Sequence, residues 1–128
     1  MERKINSIAA LMGMTAIILG AFGAHALKKY LSVAELTTFE TGVKYQMYHA
    51  LFLLFLGMNS ILDEKTKKTV FRLVSFGVIF FSGSIYLLAT KTLTGINFKP
   101  IGIITPIGGA LLIVAWSVLF WNVFKKKR

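Results

Sequence analysis

The chain has no cysteine, only five acidic residues and only two histidines. Without cysteine there is no disulfide, no thiolate metal site and no cysteine nucleophile, and redox compartment leaves no mark on the composition. The acids are Glu2, Glu35, Glu40, Asp63 and Glu64, all read as lying at the N-terminus or in connections. No carboxylate is therefore expected inside an apolar run, where it could work with a histidine in a proton relay. The sequence also lacks a metal-ligand cluster, a nucleophile triad and a phosphate-binding loop. Hydrolytic chemistry has no support, and the expectation is a protein that is not an enzyme and holds no cofactor.

What remains is apolar surface and positive charge. Of 128 residues, 55% are hydrophobic and 16% charged, with a mean hydropathy of +0.69. One domain of this size, 1–128, could not bury so much apolar surface, so lipid must be part of its solvent. The net charge is +10, from fifteen Lys and Arg. These cations sit at the ends of apolar runs, which fits a protein held by anionic lipid headgroups and not a nucleic-acid binder.

Four apolar runs fall at about 5–27, 42–62, 70–90 and 103–124. Each reaches or nears the ~20 residues that a helix needs to cross the hydrocarbon. No strand-like alternation competes, and a helix satisfies its own backbone hydrogen bonds in lipid. The fold expected is all-α: a polytopic membrane protein with four transmembrane helices in a compact bundle.

Charge sets the orientation. Arg3, Lys4, Lys65, Lys67, Lys68, Arg72 and the tail Lys125-Lys126-Lys127-Arg128 lie on one side. Lys28, Lys29, Lys44, Lys91 and Lys99 lie on the other. The positive-inside rule places both termini in the cytoplasm. Arg3-Lys4, the first run and Ala24-His25-Ala26 also mimic a secretory signal, but the run is long for one and is read as a span.

The connections carry their own signals. Asp63 to Thr69 reads as a charged cytoplasmic turn. Ser32 and Glu35 form an S-x-x-E capping box that starts a helix at Val33. That helix either lies on the outer surface over 33–41 and bends at Gly42, or runs unbroken into the second span. Thr105-Pro106 reads as an N-cap followed by proline at the first helical position. The preceding segment, Gly95 to Thr105, is then an irregular apolar flap packed over the outer mouth of the bundle.

The residues able to carry chemistry gather around GVKYQMYHALFLLFL, Gly42 to Leu56. On a helix, Gly42, Tyr45, Gln46, His49, Leu53 and Leu56 share a face, while Lys44 and Tyr48 fall away from it. Tyr45, Tyr48 and Lys44 suit an interfacial belt. Gln46 and His49 go further in, a turn or two past the outer boundary, so they should face the bundle. They could bind a ligand or simply join helices, and inter-helix polar pairs are common. Tyr86, with Ser75 and Ser82 on the third span, can reach the same region, although such serines usually bond within the bundle.

His25 ends the first span beside a small-residue stripe, Ala9, Gly13, Ala16, Gly20 and Ala24. Two histidines could ligate a haem, but their unequal depth and the lack of a wider pattern speak against it. Gly108 and Gly109 suggest tight packing of the fourth span, while Trp116, Trp121 and the basic tail read as anchors.

Four blocks in order carry a resemblance: GAFGAHAL (20–27), FETGVKYQMYHAL (39–51), FSGSIYLLAT (81–90) and GIITPIGGALLIVAW (102–116). Together they resemble domain-of-unknown-function family 423, small inner-membrane proteins of the YgdD and YwdK type. Eukaryotic proteins called transmembrane protein 256 look related. The resemblance implies a multi-pass protein of the bacterial inner (cytoplasmic) membrane and supplies no catalytic residues. The blocks contain both histidines, Gln46, Tyr86 and Thr105-Pro106.

The expected site is thus an outer polar cluster of His25, Tyr45, Gln46, His49 and Tyr86 under the flap. The leading expectation for it is a small amphiphile, lipid or protein partner, with membrane lipids around the chain and a homo-oligomer or another membrane protein as further partners. The alternatives are a small oligomeric transporter or proton-coupled carrier, and a structural or assembly factor without ligand.

Overall fold

Ser32 closes its capping box as the sequence predicts. Its side chain accepts from the Glu35 N–H at 3.1 Å, and the Glu35 carboxylate accepts from the Ser32 N–H at 2.9 Å. The two groups satisfy donors that would otherwise be orphaned at a helix start. The helix so begun, α2, runs unbroken over Val33–Met58, so there is no separate 33–41 helix and no bend at Gly42. The computed structural model describes residues 2–95 and 99–125. Besides α2 it contains α1 (Glu2–His25), α3 (Glu64–Ala89), a single turn α4 (Lys91–Thr94) and α5 (Ile104–Lys125). Short 3-10 turns cover Leu27–Lys29 and Lys99–Ile103, and no strand occurs among the described residues.

The helix bounds correct the sequence reading in three places. Asp63 caps α3 by accepting from the Thr66 N–H at 2.9 Å, so Glu64 to Thr69 form its first turns and the connection shrinks to Asn59–Asp63. Three of the acids read as connections, Glu35, Glu40 and Glu64, stand on helices, although none lies deep within one of the apolar runs. Thr105 is not an N-cap: α5 begins at Ile104, straight out of the 3-10 turn that contains Pro100. A proline near the start of that turn supplies a fixed φ and needs no N–H partner, so the helical path opens several residues early. The Thr105 hydroxyl pairs with Ser84 on α3 instead.

The long helices pack in sequence: α1 on α2, α2 on α3, α3 on α5. The stripe on α1 faces α2, where Gly13 meets Ala50 and Gly20 meets Val43. At its C-terminal end the contact passes to Gly23, which lies against the Phe39 ring, and Ala24 turns to the surface. Between α3 and α5 the approach is closer still: a Cβ on Gly108 would stand 2.3 Å from the Phe81 nitrogen. Backbones come this near only where a side chain is missing. One buried cluster joins Ile5, Leu53, Leu56, Val70, Val74, Leu112 and Ala115 from all four helices. A smaller one, Leu27, Leu31, Phe39 and Ala89, closes the other end.

Three stretches among the described residues are long and apolar enough to cross a membrane: Glu2–Lys29, Glu64–Ala89 and Pro100–Lys125. Their outward faces carry large apolar side chains, among them Ile17, Ile79, Ile113 and Phe120, each at least 60% exposed. A soluble fold would leave that surface to water at a cost of about 25 cal/mol per Å². α2 lies between α1 and α3 and buries Gln46 and His49 inside the bundle.

Candidate functional site

Gln46 is the hub of the first polar contact. Its Nε2 donates to the Met12 carbonyl at 2.9 Å and to Thr15 Oγ1 at 2.7 Å, while its Oε1 accepts from the Tyr86 hydroxyl at 2.6 Å. A carbonyl can only accept, which fixes the orientation of the amide: both of its N–H groups point to α1. One buried side chain thereby ties α1, α2 and α3. Gly42 makes room for Tyr86, since a Cβ there would stand 2.7 Å from the ring. Ser82 secures the same crossing by donating to the Gly42 carbonyl at 2.8 Å.

His49 makes the second contact, toward α5. The Trp116 indole N–H donates to His49 Nε2 at 3.1 Å, and His49 Nδ1 lies 2.7 Å from the Tyr45 carbonyl. Indole nitrogen is only a donor, so Nε2 must be the acceptor and the proton sits on Nδ1, which donates to Tyr45. The imidazole is held neutral in one tautomer with both nitrogens engaged. Phe52 packs edge-on against Trp116, with ring centroids 4.3 Å apart.

The expected single cluster is therefore two. Gln46 and His49 are three residues apart, about 60° around the helix, and that offset sends one to α1 and α3 and the other to α5. Gln46 and Tyr86 come together; so do Tyr45 and His49, whose rings stack at 6.5 Å. His25 joins neither pair. It is exposed at the last residue of α1 and bonds to none of the other four.

Nor are the contacts near the outer mouth. Met12 and Thr15 lie about midway along α1, and Trp116 midway along α5, so both contacts sit at mid-depth in the bundle. Among the described residues, the flap does not roof them. Its described part, Lys99–Ile103, is a 3-10 turn packed on α3 and α5, and Ile103 is 70% exposed. Part of the flap, 96–98, lies outside the described residues.

Two participants escaped the sequence reading. Trp116 is no interface anchor but the donor to His49, and no local pattern announces which helix its ring will meet. Lys67 is only 1% exposed, pairing with Glu2 Oε2 at 3.0 Å, although it was read as a loop cation. Its signal was present: Lys67, Val70 and Val74 share one helical row. Ser75, placed in sequence on the face of Ser82 and Tyr86, has a buried hydroxyl without a partner among the described residues.

Two open grooves flank these contacts. One, of about 370 Å³, runs between α1 and α3, with Ile8, Leu11, Met12, Val78 and Ile79 as walls and Gln46 and Tyr86 deeper in. The other, of about 320 Å³, lies against α5 and is lined by Tyr45, His49, Phe81 and Trp116.

Long apolar helices, lipid-facing side chains and polar groups satisfied at mid-depth define a helical membrane protein. The chain belongs to the family described as protein of unknown function (DUF423), whose model matches residues 19–109. It is 47% identical to a UPF0382 membrane protein of Staphylococcus saprophyticus over 118 residues, covering 92% of this chain and 94% of that one. It is 35% identical to a UPF0382 membrane protein of Haemophilus influenzae, covering 99% and 98%. It is 32% identical to the UPF0382 inner membrane protein YgdD of Escherichia coli K12, covering 99% and 94%. No solved structure matches the chain.

Proposed function

We propose that the protein is a non-enzymatic, four-span protein of the bacterial inner membrane that seats the apolar chain of a lipid or other amphiphile between α1 and α3. The observation that carries this reading is the groove beside Gln46. Its walls are almost wholly apolar, and it opens sideways where Ile79 is 60% exposed. Its deeper polar groups are already engaged: Gln46 uses both N–H groups, and Tyr86 spends its hydroxyl proton on Gln46. Such a groove recognises shape and apolar area more than a headgroup. This favours an acyl chain over a sugar or a nucleotide.

Support for α2 as the fourth span is its length of 26 residues and its position between α1 and α3. Cytoplasmic termini agree with Arg3, Lys4, Lys65, Lys68 and Arg72 lying exposed at one end, where anionic headgroups would bind. A periplasmic reporter fused at Arg128 should stay silent; activity would reverse the orientation.

The groove is tested with Ile79→Trp, which fills it from the exposed side and leaves Gln46 untouched. A native mass spectrum from mild detergent should show a lipid adduct on the parent protein. The adduct should be absent from the variant, with the melting temperature kept within a few degrees. An adduct of equal abundance on both proteins would sink the reading.

The saturation of Gln46 and His49 also favours a second reading, in which both contacts only fix helix packing and the protein acts as an assembly factor. Bare protein in both spectra would support that one.

A further inference from the structure

The groove against α5 differs from the first in what lines it. Tyr45, Phe81, His49 and Trp116 present aromatic rings, with Tyr45 and Phe81 centroids 5.1 Å apart and His49 and Trp116 6.2 Å apart. Gly109 stands in the wall with no side chain, and a Cβ there would be 3.7 Å from the Phe81 ring, in ordinary contact. The space beside the rings exists because that position is empty of side chain. The groove is open along one edge, with Trp116 50% and Ile113 68% exposed.

Its polar groups can be accounted for one by one. Both His49 nitrogens and the Trp116 N–H are occupied by one another and by the Tyr45 carbonyl. The Tyr45 hydroxyl has no hydrogen-bond partner among the described residues. A groove walled by mutually tilted rings, with the spare Tyr45 O–H on a lining residue, suits a flat ligand that stacks on one ring and carries an acceptor oxygen on its edge.

Charge narrows the class. Aromatic walls also attract a quaternary ammonium. Here, however, no carboxylate lines the groove, and Trp116 lies midway along an apolar helix. A permanent cation at that depth would cost several kcal/mol. An alkyl chain would enter freely but leave the hydroxyl unpaired.

We propose that the Tyr45–Phe81–Trp116 groove binds a neutral planar ring bearing a carbonyl oxygen and an apolar tail, the chemistry of a membrane quinone. The ring lies along the aromatic walls, its carbonyl accepts from the Tyr45 hydroxyl, and the tail leaves through the open edge into lipid. The site rests on residues of α2, α3 and α5, so it stands or falls separately from the groove beside α1.

The test uses the full chain carrying Trp121→Phe, which leaves Trp116 as the single tryptophan, titrated in mild detergent with a short-tail ubiquinone. Quenching of Trp116 emission should saturate. Tyr45→Phe, which removes one oxygen, should raise the midpoint about 5- to 10-fold, the worth of one hydrogen bond. Gly109→Leu fills the slot and should abolish the saturable phase. Melting temperatures within a few degrees of the parent show that both variants fold. Quenching that rises linearly without saturation would overturn the proposal. So would midpoints unchanged in both folded variants, or displacement by dodecyltrimethylammonium more tightly than by the quinone.

Discussion

Gln46 and His49 stand three residues apart on one helix and solve the same problem differently. Each must place a polar group at mid-depth in a membrane protein, where an unpaired donor or acceptor costs a few kcal/mol. Gln46 answers by joining three helices through three bonds, with its own residue 7% exposed. His49 is as buried, yet its contact reaches one neighbouring helix, through a tryptophan that is half exposed. The first is a hub shared by three helices, so no one of them can move without breaking it. The second is a clasp at the edge of an open groove, where the partner can move outward without opening the core. Stability should therefore depend more on Gln46, and ligand response more on the region around His49.

The largest effect expected from breaking this contrast comes from Gln46→Leu. The substitution removes three inter-helix bonds and leaves the Tyr86 hydroxyl without its acceptor, while Thr15 keeps its bond within α1. Inter-helix hydrogen bonds in membranes average less than 1 kcal/mol each, but orphaned groups add to the loss, so the total should be about 2–3 kcal/mol. Unfolding in mixed detergent measures it, and a loss no larger than that of a surface control would remove Gln46 from the role of hub. Gly108→Ala comes next. It pushes a methyl onto the α3 backbone at Phe81, where nothing flexible can yield, and overpacking of this kind costs about 1–3 kcal/mol. It should also shift the His49 groove, because that groove spans α3 and α5, while the Gln46 hub stays intact.

Much of this arrangement was legible in sequence. A glutamine and a histidine inside an apolar run must face protein, and they do. The capping box at Ser32 and Glu35 fixed where α2 begins, since both partners lie within one turn. Depth and partnership were less accessible. Which neighbour each polar group meets turns on the 60° between Gln46 and His49, and that offset acquires meaning only once α1, α3 and α5 are in place. Trp116 looked like an anchor because tryptophan favours interfaces, although the expected span, 103–124, already placed it near the middle of its helix. His25 shared a motif block with no other polar group and lies exposed. Lys67 carried both signals at once, a charge that says loop and a row with Val70 and Val74 that says core. The row prevailed because Glu2 was within reach to neutralise it.

The clasp can be loosened without disturbing the hub. Trp116→Phe removes the indole N–H and leaves His49 Nε2 without its donor, while most of the ring contact with Phe52 is kept. A cost of about 1 kcal/mol is expected, smaller than that of Gln46→Leu because a single inter-helix bond is lost and not three. The comparison sharpens if His49→Phe in the Trp116→Phe background adds little further loss. A double-mutant cycle on melting temperatures reads the coupling directly. Full additivity would mean that the two rings do not depend on one another.

The smallest effect belongs to a polar contact of the same kind placed outside the apolar layer. Glu35 accepts from the Thr92 hydroxyl of α4 and from the Ser32 N–H, and these bonds hold its carboxyl below the usual carboxylate range. A lowered value in the folded protein means that its stabilising effect is fully present above the ordinary pKa and fades as pH falls through the lowered one. Acidification from about pH 6 to about pH 3 should thus weaken the α2 start and its tie to α4. Glu35→Gln should flatten that part of the pH–stability curve, because an amide keeps an acceptor but cannot titrate. The group is exposed to solvent, so the change will be small beside either mid-depth contact. That ordering follows from the solvent: water can replace whatever Glu35 loses, and lipid can replace nothing that Gln46 loses.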